Sequence, residues 1–333
     1  MRRLGVLVLL LVTACTGSSP TGQATPTPTD SLPRQSVHLG GQPCGVAQAD
    51  GAGWVTDAQS AALYRVDPLT MKAAKKATLD QTPCELTKAF GALWIATQSG
   101  YLDRYDLATG TVTRARVGEK SYEVEPALGA LWVSDRDSAQ LTRVDPTTLK
   151  TSTLPLPGTK PGGLVFAFGY LWVGDDTSGA TAFLRVDPVH RTVTKVPAGQ
   201  RPAYVTATSS DVWVSDVESG DVTKVDPRTL KGTTTHVGIS PVNLDEDGGY
   251  VWVPDDQADT VSWLRPDGSV RQVFSTGSGS GPAVVSPVGN QMWVTLYGSG
   301  DVVAFGVING CGGPAPSPGG EPQICDPGKP PLK

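Results

Sequence analysis

GALWVSDRDSAQLTRVDPTTLK, residues 129–150, is the clearest copy of a unit that recurs along this chain of 333 residues. Its tryptophan lies in a short apolar run, and the same run returns in steps of 40, 38, 40, 41, 39 and 41 residues. The recurring residues are Trp54, Trp94, Trp132, Trp172, Trp213, Trp252 and Trp293. A period near forty with strand-like sequence in every unit is typical of a β-propeller, in which one four-stranded blade repeats around an axis. The sequence therefore predicts an all-β, seven-bladed propeller of four-stranded blades.

Each unit divides into four short strands with no helical period. In the unit quoted above, the strands are expected at residues 123–128, 131–134, 140–144 and 150–156. The turn between the last two strands begins with an Asp-Pro pair, which suits a type I turn because Asp bonds local backbone and Pro fixes φ. Apolar neighbours on both sides of each tryptophan indicate a strand buried on both faces. Packing between blades explains the tryptophans better than a binding surface does.

The seventh unit supplies only three strands before the repeat ends. The segment from Ser36 to Leu39, which precedes the first tryptophan unit, matches the missing fourth strand. We therefore predict that the amino-terminal strand pairs in the seventh blade and closes the ring, since an open ring would expose two sheet edges. The propeller is expected to span residues 36–310.

The amino terminus looks like a bacterial lipoprotein signal. A basic start is followed by an apolar stretch too short to span a bilayer, and then by Thr13-Ala14-Cys15. Residues 1–14 are predicted to be removed and Cys15 to carry a diacylglyceryl group, which would anchor the protein outside the cytoplasm on the cell membrane. The alternative is an ordinary secretory signal in which Cys15 is incidental. Residues 15–35, rich in Thr, Pro and Ser, are predicted to form a disordered tether.

Four cysteines remain once Cys15 is set aside, a number that suits disulfides in an oxidising compartment. Cys44 and Cys84 each precede their blade's tryptophan by ten residues, so they hold equivalent positions in neighbouring blades. A Cys44–Cys84 bridge is the preferred pairing, with Cys311–Cys325 stapling a Gly/Pro-rich tail at residues 311–333. Four cysteines allow three pairings, and the sequence leaves the other two open.

Several classes of function are disfavoured. The three histidines, His38, His190 and His236, map to separate peripheral positions, so a nucleophile–histidine arrangement is not expected and no catalytic residue is predicted. The formal net charge is −5, and the body of the chain has no Lys/Arg cluster, which argues against nucleic-acid binding. The protein is expected to be a monomer.

One end of the ring is the expected site, because the loops before the first strands and after the second strands converge there. Acidic residues three positions after the tryptophan recur with the fold and are interpreted as Asx turns. Residues nine positions before it differ from blade to blade and should rim the axial channel. The candidate ligand-binding residues are Glu85, Tyr122, Glu123, Tyr204 and Asn243, with Glu119 and Glu125 adding negative charge nearby. Glu85 and Glu123 are candidates for holding a divalent cation such as Mg²⁺ or Ca²⁺, a cationic ligand is an alternative, and solvated acidic loops are the simplest explanation.

Units such as residues 129–135 and 141–146 resemble those of the seven-bladed streptogramin-lyase-like propellers, over roughly residues 36–308. The resemblance implies this architecture and, for the lyases, elimination at a cyclic depsipeptide lactone by a histidine base, glutamates and magnesium. No histidine follows His236 here, and Asn243, Val284 and Leu296 stand at late-blade rim positions. We therefore expect a membrane-anchored, extracytoplasmic module that binds a small molecule or a protein through its acidic face. The alternative is a metal-dependent lyase or lactonase of the streptogramin-lyase type.

Overall fold

The computed structural model describes residues 27–28 and 34–306, which contain 28 β-strands and no helix. No segment in these ranges forms a helix able to cross a membrane. The strands form seven four-stranded antiparallel sheets arranged as the blades of a propeller. The predicted all-β, seven-bladed fold is confirmed. The predicted signal sequence, lipidated Cys15, most of the tether and the Cys311–Cys325 bridge lie outside the described residues.

The amino-terminal strand β1 (Arg34–His38) belongs to blade 7, and the chain then builds blades 1 to 6 in order. Blade 1 contains β2 (Pro43–Ala49), β3 (Ala52–Asp57), β4 (Ala62–Val66) and β5 (Ala73–Thr78). Blade 2 contains β6 (Pro83–Ala89), β7 (Ala92–Thr97), β8 (Tyr101–Asp106) and β9 (Val112–Arg116). Blade 3 contains β10 (Ser121–Ala127), β11 (Ala130–Asp135), β12 (Gln140–Val144) and β13 (Thr151–Pro155).

The later blades follow the same plan, with the first strand of each blade innermost. Blade 4 contains β14 (Pro161–Ala167), β15 (Tyr170–Asp175), β16 (Ala182–Asp187) and β17 (Thr192–Pro197). Blade 5 contains β18 (Pro202–Ala207), β19 (Val212–Asp216), β20 (Asp221–Val225) and β21 (Gly232–His236). Blade 6 contains β22 (Asp245–Asp247), β23 (Tyr250–Asp255), β24 (Thr260–Leu264) and β25 (Val270–Ser275). Blade 7 contains β26 (Pro282–Val288), β27 (Gln291–Leu296) and β28 (Asp301–Gly306), with β1 outermost.

The ring closes as predicted, by antiparallel pairing of β1 with β28. The register places Arg34 beside Phe305 and His38 beside Asp301. The strand begins two residues earlier than the sequence indicated, because Arg34 still pairs with β28 and its guanidinium donates to the Ser275 carbonyl at 2.8 Å. The segment that starts the propeller therefore also completes it.

Each repeat tryptophan is buried between its own blade and the next one. Their exposed fractions are between 0% and 4%. Trp94 packs with Val124 and Leu131 of blade 3, and Trp293 packs with Val46 of blade 1 across the closure. The same arrangement holds around the ring, so the tryptophans are packing residues, as the sequence predicted.

Removing β1 tests the ring closure. A chain lacking residues 34–38 leaves the edge of β28 unpaired and removes one strand from blade 7, so its unfolding temperature should fall. A loss of about 4 kcal/mol in unfolding free energy lowers the unfolding temperature by about 10 °C in a domain of this size. Thermal unfolding followed by circular dichroism measures the shift. Deleting five tether residues, 24–28, is the matched control and should change the unfolding temperature little; equal effects of the two deletions would contradict closure by β1.

Candidate ligand-binding site

The repeated aspartates three residues after the tryptophans fix the loops of one end of the propeller. Asp57 accepts hydrogen bonds from the Gln42, Gln59 and Ser60 backbone N–H groups. Asp135, Asp175 and Asp255 likewise tie the turn after the second strand to the loop that leads into the first strand of the same blade. Asp216 differs, because its Oδ2 accepts a hydrogen bond from the Thr223 hydroxyl. The predicted Asx-turn role is confirmed for four of the five aspartates, Asp216 being the exception, and we call this end of the propeller the pocket face.

A cavity of about 310 Å³ opens at the axis on the pocket face. Four of the five predicted ligand-binding residues line it, and Glu123 does not. Six of the seven blades contribute, and blade 4 is the exception. The lining residues are Cys44, Cys84, Glu85, Gln98, Ser121, Tyr122, Tyr204, Val242, Asn243, Asp256, Gly281, Ala283, Val284, Tyr297 and Gly298.

Close contact between the inner strands of blades 1 and 2 forms one wall. A Cβ on Gly45 would lie 2.2 Å from the Cys84 carbonyl oxygen, so only glycine allows the strands to approach this closely. The Cys44 and Cys84 Cα atoms are 4.9 Å apart and the residues form a disulfide. The predicted Cys44–Cys84 bridge is confirmed and lies in the cavity wall.

The tyrosines meet across the front of blade 4. The Tyr122 and Tyr204 hydroxyls are hydrogen-bonded and the ring centroids are 5.8 Å apart. Gly163 of blade 4 lets the inner strands of blades 4 and 5 approach closely at Tyr204, since a Cβ there would lie 2.8 Å from the Tyr204 Cα. Burial raises the pKa of Tyr204 to about 12 and that of Tyr122 well above its usual range, so both phenols are neutral hydroxyl groups at physiological pH.

A buried ion-pair cluster supports the tyrosines from the pocket face. The Asp176 carboxylate, whose side chain is 2% exposed, pairs with both Arg136 and Arg201. The Arg136 guanidinium also lies over the Tyr122 ring, 5.5 Å from its centroid. One buried carboxylate therefore holds both guanidinium groups beside the tyrosines.

The opposite side of the cavity carries a buried carboxyl group. The Asn243 side-chain amide of blade 6 donates to Glu85 Oε1 of blade 2 at 3.4 Å, which makes a second contact across the axis. Glu85 is only 7% exposed, and burial, reinforced by the nearby Asp245, raises its pKa to about 8. Glu85 therefore carries a proton for much of the time at neutral pH, and can either donate or accept a hydrogen bond.

Two further carboxyl groups line the same channel. Glu125 and Asp245 stand seven residues before their tryptophans and lie opposite the indoles on the inner strands. Burial raises the pKa of each to about 7, and Asp245 adds to the effect on Glu125. Sequence reasoning named Glu125 only as added charge and missed Asp245. The sequence analysis compared the residues nine positions before each tryptophan. The same comparison seven positions before it would have identified Glu125 and Asp245.

Glu123 interacts electrostatically with Glu85, Glu125 and Asp245. Burial and the Glu85 carboxyl are the main causes that raise its pKa well above the usual range, and Glu125 and Asp245 contribute. Four carboxyl groups therefore interact within the channel, and burial raises the pKa of each one. By contrast, Glu119 is exposed on a loop.

The carboxyl cluster does not form a metal cage. Within residues 34–306, no group of three or more His, Cys, Asp or Glu side chains is placed to hold a metal ion. The histidines do not supply ligands at the cavity either, because His38, His190 and His236 each contact an aspartate on a turn or outer strand. We therefore derive no step that depends on a metal.

No protein-family model matches the sequence, and no curated protein matches it. Solved structures do match the fold. Virginiamycin B lyase from Staphylococcus aureus is 14% identical, with a TM-score of 0.75 over 84% of this chain and 100% of the lyase. A catalytically inactive variant of that lyase with quinupristin is 14% identical, with a TM-score of 0.70 over 84% of this chain and 100% of the variant. A chain of the mitotic checkpoint complex gives 12% identity and 0.73 over 88% of this chain and 100% of its own. The resemblance to streptogramin-lyase-like propellers is confirmed for the fold.

The raised pKa of Glu85 predicts that stability falls as pH rises. In the unfolded chain this carboxyl loses its proton near its ordinary pKa of 4.5, whereas the folded protein keeps the proton up to about pH 8. Between these values, raising the pH favours the unfolded state. The difference in unfolding free energy between pH 5 and pH 8.5 should shrink by roughly 1–3 kcal/mol in Glu85→Gln.

Urea unfolding at the two pH values measures this difference. Glu119→Gln is the matched control, because it removes an exposed carboxyl and should leave the pH dependence unchanged. If Glu85→Gln kept the full pH dependence of the parent protein, the buried protonated carboxyl would be refuted.

Proposed function

We propose that this protein is a ligand-binding β-propeller, anchored on the outer side of the cell membrane, whose ligand occupies the cavity of the pocket face. The observation that carries the proposal is the lining of that cavity. Its residues differ from blade to blade, and the propeller repeat does not require Tyr122, Tyr204 or Glu85 where they stand. A volume of about 310 Å³ suits a small molecule or the end of a larger one.

The lining indicates what kind of ligand would bind. Tyr122 and Tyr204 offer aromatic surface with hydroxyl groups, and Val284 and the disulfide add apolar surface. Glu85 and Asp256 supply carboxyl groups whose pKa values burial raises. A protonated amine bound beside Glu85 would favour its ionised form and recover the cost of burying that charge. We therefore favour a small organic cation with an apolar or aromatic part.

The location follows from the amino-terminal sequence, with support from the cysteines. The short apolar stretch ending at Cys15 resembles a lipoprotein signal. The Cys44–Cys84 disulfide is the kind of bond that persists outside the cytoplasm. The predicted tether would hold the propeller near the membrane surface.

Lyase or lactonase activity is the alternative. The fold shared with virginiamycin B lyase favours it, as do the Glu85 and Glu123 carboxyls, whose raised pKa values suit general acid–base catalysis. A divalent cation held by these two glutamates would need further ligands from the substrate or water. Histidine catalysis has no support among the described residues, since none of the three histidines lines the cavity.

Thermal unfolding in the presence of small cations tests the proposal. We expect organic amines, tested as a panel of primary and quaternary ammonium compounds, to raise the unfolding temperature more than Mg²⁺ or Ca²⁺ does. A ligand at about 100 times its dissociation constant stabilises the folded state by about 2.7 kcal/mol. The stabilisation should disappear in Glu85→Gln, which removes the negative charge but keeps the shape.

Glu119→Gln again serves as the control and should keep the response. A panel with no stabilising amine, or stabilisation that survives Glu85→Gln, would contradict amine binding in this cavity. Stabilisation by Mg²⁺ or Ca²⁺ that is lost in the Glu85→Gln, Glu123→Gln double variant would favour the metal-dependent alternative. Conversion of quinupristin to a ring-opened isomer of unchanged mass, separated by liquid chromatography and identified by its fragmentation, would establish the lyase activity directly, whereas a product that has gained one water would indicate a lactonase.

A further inference from the structure

The end of the propeller opposite the pocket face carries most of the exposed apolar side chains. We call it the turn face, because it is formed by the turns between first and second strands and between third and fourth strands. Of the eight large apolar side chains that are exposed among the described residues, five lie at the tips of these turns. They are Leu69, Phe90, Leu128, Phe168 and Val189, with exposed fractions of 84%, 48%, 53%, 40% and 71%.

Three of these residues occupy positions where the backbone disfavours them. Phe90, Leu128 and Phe168 are the first central residues of the two-residue turns in blades 2, 3 and 4, and their φ values are +50°, +51° and +54°. Each is followed by a glycine that also has positive φ, as in a type I′ turn. That turn prefers Asn, Asp or Gly at the first position, and a bulky side chain there is strained.

Other blades satisfy the same position without an apolar side chain. Blade 1 has Asp50, blade 6 has Gly248 and blade 7 has Gly289, all with positive φ. The fold therefore does not require an aromatic or aliphatic residue at this turn. Blades 2, 3 and 4 are neighbours, so their three apolar tips follow one another along the same side of the turn face. Conformational strain and exposed apolar surface at the same three residues indicate a contact made by this side of the turn face.

Both ends of the propeller chain lie at the turn face. Strand β1 begins with Arg34 beside Phe305, and β28 ends with Gly306 beside Gln291, the residue that directly follows the Gly289–Asn290 turn. The described chain therefore enters and leaves the propeller at the turn face. Cys15, the predicted lipid site, lies only 18 residues before the first strand, since residues 16–33 separate it from Arg34.

We infer that the turn face docks on the lipid bilayer, with the apolar tips of blades 2, 3 and 4 inserted at the headgroup boundary and the pocket face turned away from the membrane. Single Phe and Leu side chains at loop tips can transfer apolar area into this boundary without any spanning segment. The contact is apolar, because Phe90, Leu128 and Phe168 supply it. The inferred orientation rests on the proposed membrane anchoring. The contact between the turn face and the bilayer does not require the lipid group on Cys15.

Vesicle flotation with a chain that starts at Thr16 tests the contact, because this chain lacks Cys15 and retains all seven blades. The parent chain should float with phosphatidylcholine vesicles. The affinity of the triple variant Phe90→Asn, Leu128→Asn, Phe168→Asn for these vesicles should be lower by about tenfold or more, because three apolar tips are lost. Asn suits the turn geometry, so the variant should unfold at the same temperature as the parent or higher. Loss of binding would then not reflect unfolding.

Ile239→Asn is the matched control. Ile239 is 54% exposed on the pocket face, where its backbone N–H donates to Asp255, and its replacement should leave vesicle binding unchanged. The inference is overturned if the parent chain does not float, if the triple variant floats equally well, or if Ile239→Asn loses as much binding. Membrane fractionation of the full chain carrying the three Asn substitutions, with and without Cys15→Ala, tests the lipid anchor separately, because the lipid on Cys15 is then the only proposed membrane contact left. Loss of membrane association on Cys15→Ala is expected, and equal association of the two chains would contradict the anchor without affecting the turn-face contact.

Discussion

The whole molecule depends on the indole that each blade presents to the next one. Burying a large aromatic side chain on both faces stabilises a pair of sheets that neither blade could stabilise alone. Trp293 extends this packing across the closure, where Gly53 of blade 1 is the neighbour: a Cβ there would lie 2.3 Å from the indole ring. The ring closes through β1, so each of the seven blades has a neighbour on both sides, and the period of about forty residues is the length of one four-stranded blade.

Function is left to the positions that the repeat does not use. At nine residues before the tryptophan, blades 1 and 4 have glycine, and these gaps let neighbouring strands approach each other. Gly45 permits the Cys44–Cys84 bridge, and Gly163 lets the inner strands of blades 4 and 5 approach closely at Tyr204. The cavity is thus shaped as much by missing side chains as by present ones. The resulting cavity has the ion pairs of Asp176 beside its tyrosines and the Glu85 carboxyl on the opposite side.

The fold could be predicted from the sequence because its signal is periodic and repeated seven times. The same periodicity predicted β1 as the closing strand and placed Cys44 beside Cys84. The site was harder to predict. Glu85, Tyr204 and Asn243 stood out because they break the repeat, but the contacts between them join blades that are far apart in sequence and depend on how closely the inner strands approach. Asp245 was missed since only one position of the inner strand was considered. The strained tips at Phe90 and Leu128 became evident only with the backbone φ values.

The central claim is that repeat residues hold the fold while non-repeating residues are free for function. Equilibrium urea unfolding of Trp213→Ala and Tyr297→Ala compares the two directly, because Trp213 is 1% exposed between blades and Tyr297 is 36% exposed at the cavity mouth. We expect Trp213→Ala to lose about 3–5 kcal/mol of unfolding free energy and Tyr297→Ala to lose less than about 1 kcal/mol. Equal losses, or a larger loss for Tyr297→Ala, would contradict the account.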